Sequence, residues 1–386
     1  MPPVRVLVVD DSVLMRGLLK KMLAQQHDIQ IIGTAVNGLD ALAKIKSLKP
    51  DAVTLDVEMP ELDGLSALRR IMLECPVPVI MCSSLTDTGT RATIEALSAG
   101  AVDFIAKPKK TEALGPVVEE LAVKIITASG ARLIKPRLSQ IMSEGDLHKK
   151  GRPVPERRKT TGELSNAAKE REKAAMSRRI IKSGVKVLSM TMRSVHTKLV
   201  AIGCSTGGPA ALQQVLPALP AKFPTPVVVV QHIPIGFSKA LAEQLNTKCQ
   251  LEVHHAEDGM QLQVGHIYIA QAGSDITFRG RGDSVTLNIE KGVTPLPPGG
   301  FRPSADVMMT DAARAYGDTV LGVLMTGMGR DGAKGMKAIK NNGGRTIAED
   351  ESTCVVYGMP KAAVDAKAVD KVTPLGDIAQ EIINML

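Results

Sequence analysis

Short runs of β-branched and apolar residues, each ended by a polar or glycine-rich turn, recur along this chain. "VRVLVVDDS", "DAVTLDV" and "VPVIMCS" stand in the first third, and "KLVAIGCSTGG", "TPVVVVQH" and "TVLGVLMTG" in the second half. Runs that are apolar at nearly every position read as strands buried on both faces, the condition of parallel strands covered by crossover helices. The segments between them carry apolar residues at helical spacing. An alternation of this kind folds as an α/β protein with doubly wound, mainly parallel sheets.

The alternation comes in two blocks. Residues 1–126 hold five strand and five helix signals. Ser12 is the expected N-cap of the first helix, "SVLMRGLLKKMLAQQ", in which Leu14, Leu18 and Met22 share a face. From about 197 the pattern returns as "KLVAIG", "TPVVVVQH", "HIYIAQ", "TVLGVLMT" and "RTIAED". Within it "DITFRGRGDSVTLNIE" reads as a hairpin turning at Gly280 to Asp283. The expected folds are flavodoxin-like for the first block and a Rossmann-like α/β/α sandwich with a β-hairpin for the second. Residues 127–196 lack sustained strand patterns and read as a long, basic, flexible linker.

The charge distribution bears on partners. The net charge is +8, but residues 130–198 alone hold 18 Lys and Arg against 6 Asp and Glu. The rest of the chain is therefore mildly acidic. The basic stretch has no aromatic residue to stack on bases and no helix-turn-helix pattern, so nucleic acid is not an expected partner. It reads as a solvated tether, or as one attracted to acidic helices of a partner or an anionic membrane. Five scattered cysteines without a CxxC motif suit reduced thiols, and no run of eighteen apolar residues or signal-peptide pattern is present. A cytoplasmic location is the expectation.

In the first block, polar groups follow the strands directly: Asp10 and Asp11 after the first, Asp56 after the third, Ser83 after the fourth and Lys107 after the fifth. The carboxyl ends of parallel strands share one edge, so these residues can converge. Three carboxylates in one pocket call for a divalent cation, and an oxygen-only set suits Mg2+. Taken singly, Asp10 and Asp11 also read as helix caps and Lys107 as a surface charge. "VVDDS", "LDVEMPELDG", "MCSS" and "AKP" together resemble the receiver domain of bacterial two-component response regulators. The resemblance implies that Asp56 accepts a phosphoryl group from a histidine kinase. It implies Mg2+ on Asp11, Asp56 and the backbone carbonyl of Glu58, with Asp10 nearby, and Ser83 and Lys107 as switch residues.

The second block opens with G-x-S-x-G at "GCSTG", which puts Ser205 on a strand-to-helix turn. Such a turn can cap a helix, hold a phosphate or present a nucleophile. No Walker lysine follows the glycines. His232 ends the next strand and could act as base, and Asp331 follows a third strand and glycine turn as orienter. Asp258, Asp275, Asp306 and Asp311 are rivals for the last role, and Cys204 is a rival nucleophile. The order Ser, His, Asp differs from that of α/β-hydrolases.

"IGCSTGGP", "VVVVQHIP", "FRPSADVMMTDAA" and "LMTGMGRDGAKG" resemble the catalytic domain of the bacterial chemotaxis protein-glutamate methylesterases, a family that places a receiver domain first. The resemblance implies Ser205 as nucleophile, His232 as base and then acid, Asp331 as orienter, and the backbone of Met328 and Thr206 at the oxyanion. It implies glutamyl methyl esters and glutamines of chemoreceptor helices as substrates, no cofactor in the esterase site, and peripheral association with receptor arrays. It also implies that the unphosphorylated receiver covers the active site. A partner-binding response regulator and an esterase for another substrate are the competing readings.

Overall fold

A computed structural model describes residues 2–84, 86–107, 114–131, 197–280, 285–292 and 301–386. In the first domain β1 (Val4–Val9), β2 (Ile29–Ala35), β3 (Ala52–Asp56), β4 (Val79–Ser83) and β5 (Asp103–Ala106) form a parallel sheet in the order β2-β1-β3-β4-β5. Helices α1 (Val13–Leu23), α2 (Gly38–Leu48), α3 (Gly64–Glu74), α4 (Asp87–Ser98) and α5 (Leu114–Ser129) alternate with the strands. Val6, Leu7, Val8 and Val9 are consecutive and all buried, the outcome for a central strand covered on both faces. Ser12, Asn37, Asp63 and Thr86 each accept a backbone N–H at a helix start, so four of the five helices begin at a side-chain cap. Helix α5 ends at Ser129, slightly beyond the reading of a block ending at 126.

The second domain holds a seven-stranded sheet: β6 (Leu199–Cys204), β7 (Val227–Gln231), β8 (Glu252–His255), β9 (His266–Ile269), β12 (Val320–Leu324), β13 (Arg345–Glu349) and β14 (Lys371–Thr373). Its order is β14-β13-β12-β6-β7-β9-β8 and every pair is parallel. The hairpin β10 (Ser274–Arg279) and β11 (Thr286–Lys291) forms a separate antiparallel sheet. The helices are α6 (Gly208–Val215), α7 (Phe237–Asn246), α8 (Ala305–Tyr316), α9 (Ala333–Asn341), α10 (Met359–Asp365) and α11 (Leu375–Asn384). Two short strands escape the sequence pattern. "EVHH" (β8) and "KVT" (β14) lie at opposite sheet edges, where one side of the strand stays unpaired and apolar alternation is not required. The linker reading began at 127, but residues 127–129 belong to α5, and residues 132–196 lie outside the described residues.

The two sheets belong to one compact unit. Helix α4 lies against α6 and α7. The Phe104 ring of β5 meets Phe237 at the start of α7, centroids 4.5 Å apart, and Arg91 stands 3.7 Å from Glu243. No helix among the described residues is long and apolar enough to cross a membrane.

One backbone approach fixes the entry to α3. A Cβ added to Gly64 would stand 1.9 Å from the carbonyl oxygen of Asp56, an atom that cannot swing away. Gly64→Ala is expected to lower the unfolding free energy by about 2 kcal/mol, the usual cost of forced backbone shifts. Gly17→Ala, in open space within α1, should raise it by roughly 0.5–1 kcal/mol. Urea unfolding of both variants checks the pair.

Candidate functional site

The carboxyl edge of the first sheet gathers the acidic residues. Asp10 and Asp56 are buried at the ends of β1 and β3, Asp11 is exposed, and the three carboxylates have oxygens within 4.8 Å of one another. Lys107 is not a free surface charge: its Nζ lies 2.6 Å from Asp56 Oδ2 and 2.7 Å from Asp10 Oδ2. One cation among three carboxylates leaves the pocket negative. Burial first, then repulsion from Asp10 and Asp11, pushes Asp56 up to about 6 against the pull of Lys107. An oxygen-only, under-compensated pocket fits a hard divalent cation. The cap of α1 falls to Ser12, whose Oγ accepts Met15 N–H, while Asp10 accepts the N–H of Ser12. Glu58 lies two residues past β3, and its carboxylate is 3.4 Å from the Thr86 hydroxyl. The Ser83 hydroxyl is buried and faces the carbonyls of Ser84 and Gly89, each at 3.1 Å, on the α4 side.

At the corresponding edge of the second sheet, Ser205 follows β6. Gly207 adopts φ +79° and α6 starts at once behind it, with Pro209 in its first turn. The neighbouring strand end is tied to this turn by Gln231, whose amide donates to the carbonyls of Ser205 (2.9 Å) and His232 (2.8 Å). His232 Nε2 lies 2.8 Å from Asp331 Oδ2, and the imidazole is stacked on Phe301 at 4.3 Å between centroids, 9° from parallel. His232 Nδ1 is buried and has no hydrogen-bond partner among the described residues. Ser205 and His232 line one cavity of about 750 Å³ together with Thr206 and Met328, but no direct hydrogen bond joins them.

Asp331 sits on a helix start. Its Oδ1 accepts from Ser304 Oγ (2.8 Å) and Asp306 N–H (3.0 Å), and its Oδ2 from Ala305 N–H (2.6 Å). Burial would raise this carboxyl, yet the hydrogen bonds from His232, Ser304 and the α8 backbone outweigh it and hold the group below its usual value. The free N–H groups and dipole of α8 favour that negative charge. The rival carboxylates are engaged elsewhere: Asp258 and Asp275 with Arg279 and Arg302, Asp311 with Arg314, and Asp306 with Gly335 N–H. Burial pushes the Cys204 thiol far up, and its Sγ faces Gln231 Oε1 at 3.1 Å, a structural role.

Four further residues were given no role in the sequence reading, although Gln231, Ser304 and Thr326 lie within its motifs. Glu349, fully buried at the end of β13, accepts Thr326 N–H at 2.8 Å and the Thr353 hydroxyl at 3.0 Å. Thr326 in turn accepts Ser205 N–H on its carbonyl and donates its hydroxyl to Thr206 O, so it buttresses the serine turn from below. Gln231 and Ser304 complete the group. For Glu349 the visible signal was only that it ends a buried strand, on the same edge as the motif residues.

The first domain closes on this edge. Thr206 Oγ1 donates to Asp103 Oδ2 at 2.6 Å, and Thr127 Oγ1 lies 3.1 Å from Met328 Sδ. Asp103, Glu119, Glu120, Val123 and Lys124 line the cavity that holds Ser205 and His232. Lys124, largely covered, lies between Asp103 Oδ1 (3.2 Å) and Phe104 O (2.6 Å).

Two buried acids carry a pH signature. Burial raises Asp56 to about 6 and Glu349 to about 7. A folded state that holds these protons more tightly than the unfolded chain loses stability as pH rises between the two values for each group. Without divalent cations, the unfolding free energy should therefore fall from about pH 4 to 7, by roughly 3 kcal/mol per group. Asp56→Asn should remove the lower part of the fall and Glu349→Gln the upper part. Urea titrations across that range read the difference between wild type and variant.

Two family models match the chain. "CheB methylesterase" covers residues 200–382, and "Response regulator receiver domain" covers residues 6–119. Protein-glutamate methylesterase/protein-glutamine glutaminase 1 of Carboxydothermus hydrogenoformans is 46% identical over 98% of each chain. The Archaeoglobus fulgidus protein of the same activity name is 40% identical over 99% of this chain and 98% of its own. Among solved structures, the Thermotoga maritima CheB methylesterase catalytic domain is 40% identical, covers 50% of this chain and 100% of its own, and gives a TM-score of 0.47. On its relatives' identity and coverage, the chain belongs to the CheB methylesterase family, the receiver-linked protein-glutamate methylesterases/protein-glutamine glutaminases.

Proposed function

We propose that the protein hydrolyses glutamyl methyl esters, and deamidates glutamines, on chemoreceptor helices, with Ser205, His232 and Asp331 as its catalytic triad. The observation that carries this reading is the His232–Asp331 pair, with the unpartnered Nδ1 buried at the cavity that Ser205 also lines. A carboxylate on Nε2 keeps the proton there and leaves the Nδ1 lone pair available. As Ser205 Oγ bonds to the ester carbonyl carbon, Nδ1 takes its proton and then delivers it to the departing methoxide, which leaves as methanol. Water, deprotonated by the same nitrogen, adds to the acyl-enzyme and releases glutamate and free serine. With glutamine the leaving group is ammonia. Backbone N–H groups of Met328 and Thr206 serve the oxyanion. Phe301 shields the imidazole face from water.

The receiver residues supply control. Asp56 accepts the phosphoryl group from a histidine kinase. Asp11, Asp56 and the Glu58 carbonyl, with Asp10 beside them, would hold a Mg2+ ion that neutralises phosphoryl charge. Lys107, released from its pairing with the Asp56 carboxylate, contacts the new group. Lys107 directly follows β5, and β5 begins at Asp103, which holds Thr206. Phosphorylation thereby weakens the receiver's hold and shifts a closed population towards an open one. Residues 1–129, 130–196 and 197–386 divide the labour as receiver, tether and catalytic domain.

Methanol release from a methylated receptor cytoplasmic fragment tests the reading. Ser205→Ala in the full chain should abolish release with a small phosphodonor and Mg2+ present, and persistence of release would exclude the serine mechanism. Asp103→Ala should raise the unphosphorylated rate roughly tenfold, the population shift that follows from losing a hydrogen bond of about 1.4 kcal/mol. Asp103→Asn, which keeps an acceptor for Thr206, should raise it less.

A further inference from the structure

The outer edge of the seven-stranded sheet carries a cluster that the ester chemistry does not use. Glu252 and His254 are two residues apart on β8 and so project from one face. Strand β8 runs parallel to β9 with Glu252 opposite His266 and His254 opposite Tyr268, which puts His266 on that face too. Register alone thus gathers a carboxylate and two imidazoles. His254 Nε2 lies 2.8 Å from His266 Nδ1, and the Glu252 oxygens lie 3.6 and 3.8 Å from these two nitrogens. All three donor atoms fall within 4.8 Å of one another. Both imidazoles are largely covered, whereas the Glu252 carboxylate is open to water. Buried Tyr268 stacks on His254 at 5.3 Å and is itself held through its hydroxyl by the backbone of Gln261 and Gln263.

We propose that Glu252, His254 and His266 bind a borderline divalent transition-metal ion of the Zn2+ class, leaving a coordination position open to water. Two imidazoles and one carboxylate form a set that selects such ions over Mg2+ or Ca2+, which prefer oxygen ligands throughout. At Zn–N and Zn–O distances of about 2.1 Å, tetrahedral ligands stand about 3.4 Å apart. The observed spacings, from 2.8 to 3.8 Å, bracket that value. Closing the set needs only side-chain rotation, because the strand pair already fixes the three Cα positions. His254 would coordinate through Nε2 and His266 through Nδ1, with the N–H of each ring on the opposite nitrogen. The ion would pin the edge strand β8 to its neighbour β9.

The test uses the full chain, titrated with ZnCl2 by calorimetry and with CoCl2 by visible absorption. Wild type should bind one Zn2+ at this site against a hundredfold excess of MgCl2 and should show the d–d bands of a four-coordinate Co2+ site. His254→Gln and His266→Gln should each weaken this binding at least roughly tenfold, the loss that even outer-shell partners of a metal cause. Asp56→Asn should leave it unchanged, as should Cys249→Ser, which removes the partly buried thiol earlier in the same segment. The thermal midpoint of wild type should rise with ZnCl2, and that of the histidine variants should rise less at the same concentration. Binding of equal strength in both histidine variants would overturn the proposal, as would no saturable binding below millimolar ZnCl2. Midpoints measured without metal separate a lost ligand from a lost fold.

Discussion

The Asp331 carboxylate is the fixed point of the second domain's functional edge. It lies in the glycine turn after β12, yet its oxygens are satisfied by Ser304 and by the first N–H groups of α8, a helix that precedes it in the chain. Asp306, in the first turn of α8, accepts Gly335 N–H near the start of α9 in return. The two helices therefore hold each other's starts, and the imidazole of His232 takes the position that remains on Asp331. The full hydrogen-bond complement allows a buried carboxylate to stay ionised. A charge held in this way can fix the tautomer of the histidine beside it.

The serine turn depends on a second buried support, with different chemistry. Thr326 and Gln231 reach the backbone of Ser205 and Thr206 from beneath the sheet edge, and Glu349 holds Thr326 in place by accepting its N–H. Here burial raises the carboxyl of Glu349, whereas at Asp331 hydrogen bonds lower it. The contrast follows from the donors each acid meets. Asp331 receives a helix start and a histidine, while Glu349 receives one amide, one hydroxyl and a weakly donating thiol, that of Cys354. The two acids thus have opposite charge preferences on the same sheet edge.

The receiver meets the serine turn through the amino end of β5, away from the carboxyl edge that gathers its own acidic groups. Both sheets present the carboxyl ends of parallel strands, and the functional groups of each lie there. Asp103 opens β5 and Lys107 follows its end, so one four-residue strand lies between the Ser205–Thr206 turn and the pocket of Asp10 and Asp56. Strand β5 is held along its length by its pairing with β4.

Much of this was legible in the residues. Continuous apolar runs announced buried parallel strands, and Ser12 was readable as a cap. Asp10, Asp11, Asp56, Ser83 and Lys107, like Ser205, His232 and Asp331, could be placed at strand ends because strand direction in a parallel sheet follows from alternation with helices. The edge strands β8 and β14 were not legible, since an edge strand needs no apolar alternation. Glu349, Thr326, Ser304, Asp103 and the His254–His266 pair were hidden for another reason. Each acts on a residue from a different part of the chain, and one-dimensional spacing carries no information about which strands become neighbours. The sequence by itself determined the α/β architecture and the chemical groups available at each sheet edge, through local hydrophobic period and turn chemistry. Only the tertiary structure decided which acid meets His232, what holds the serine turn, and that the receiver covers it, because those depend on strand order and long-range packing.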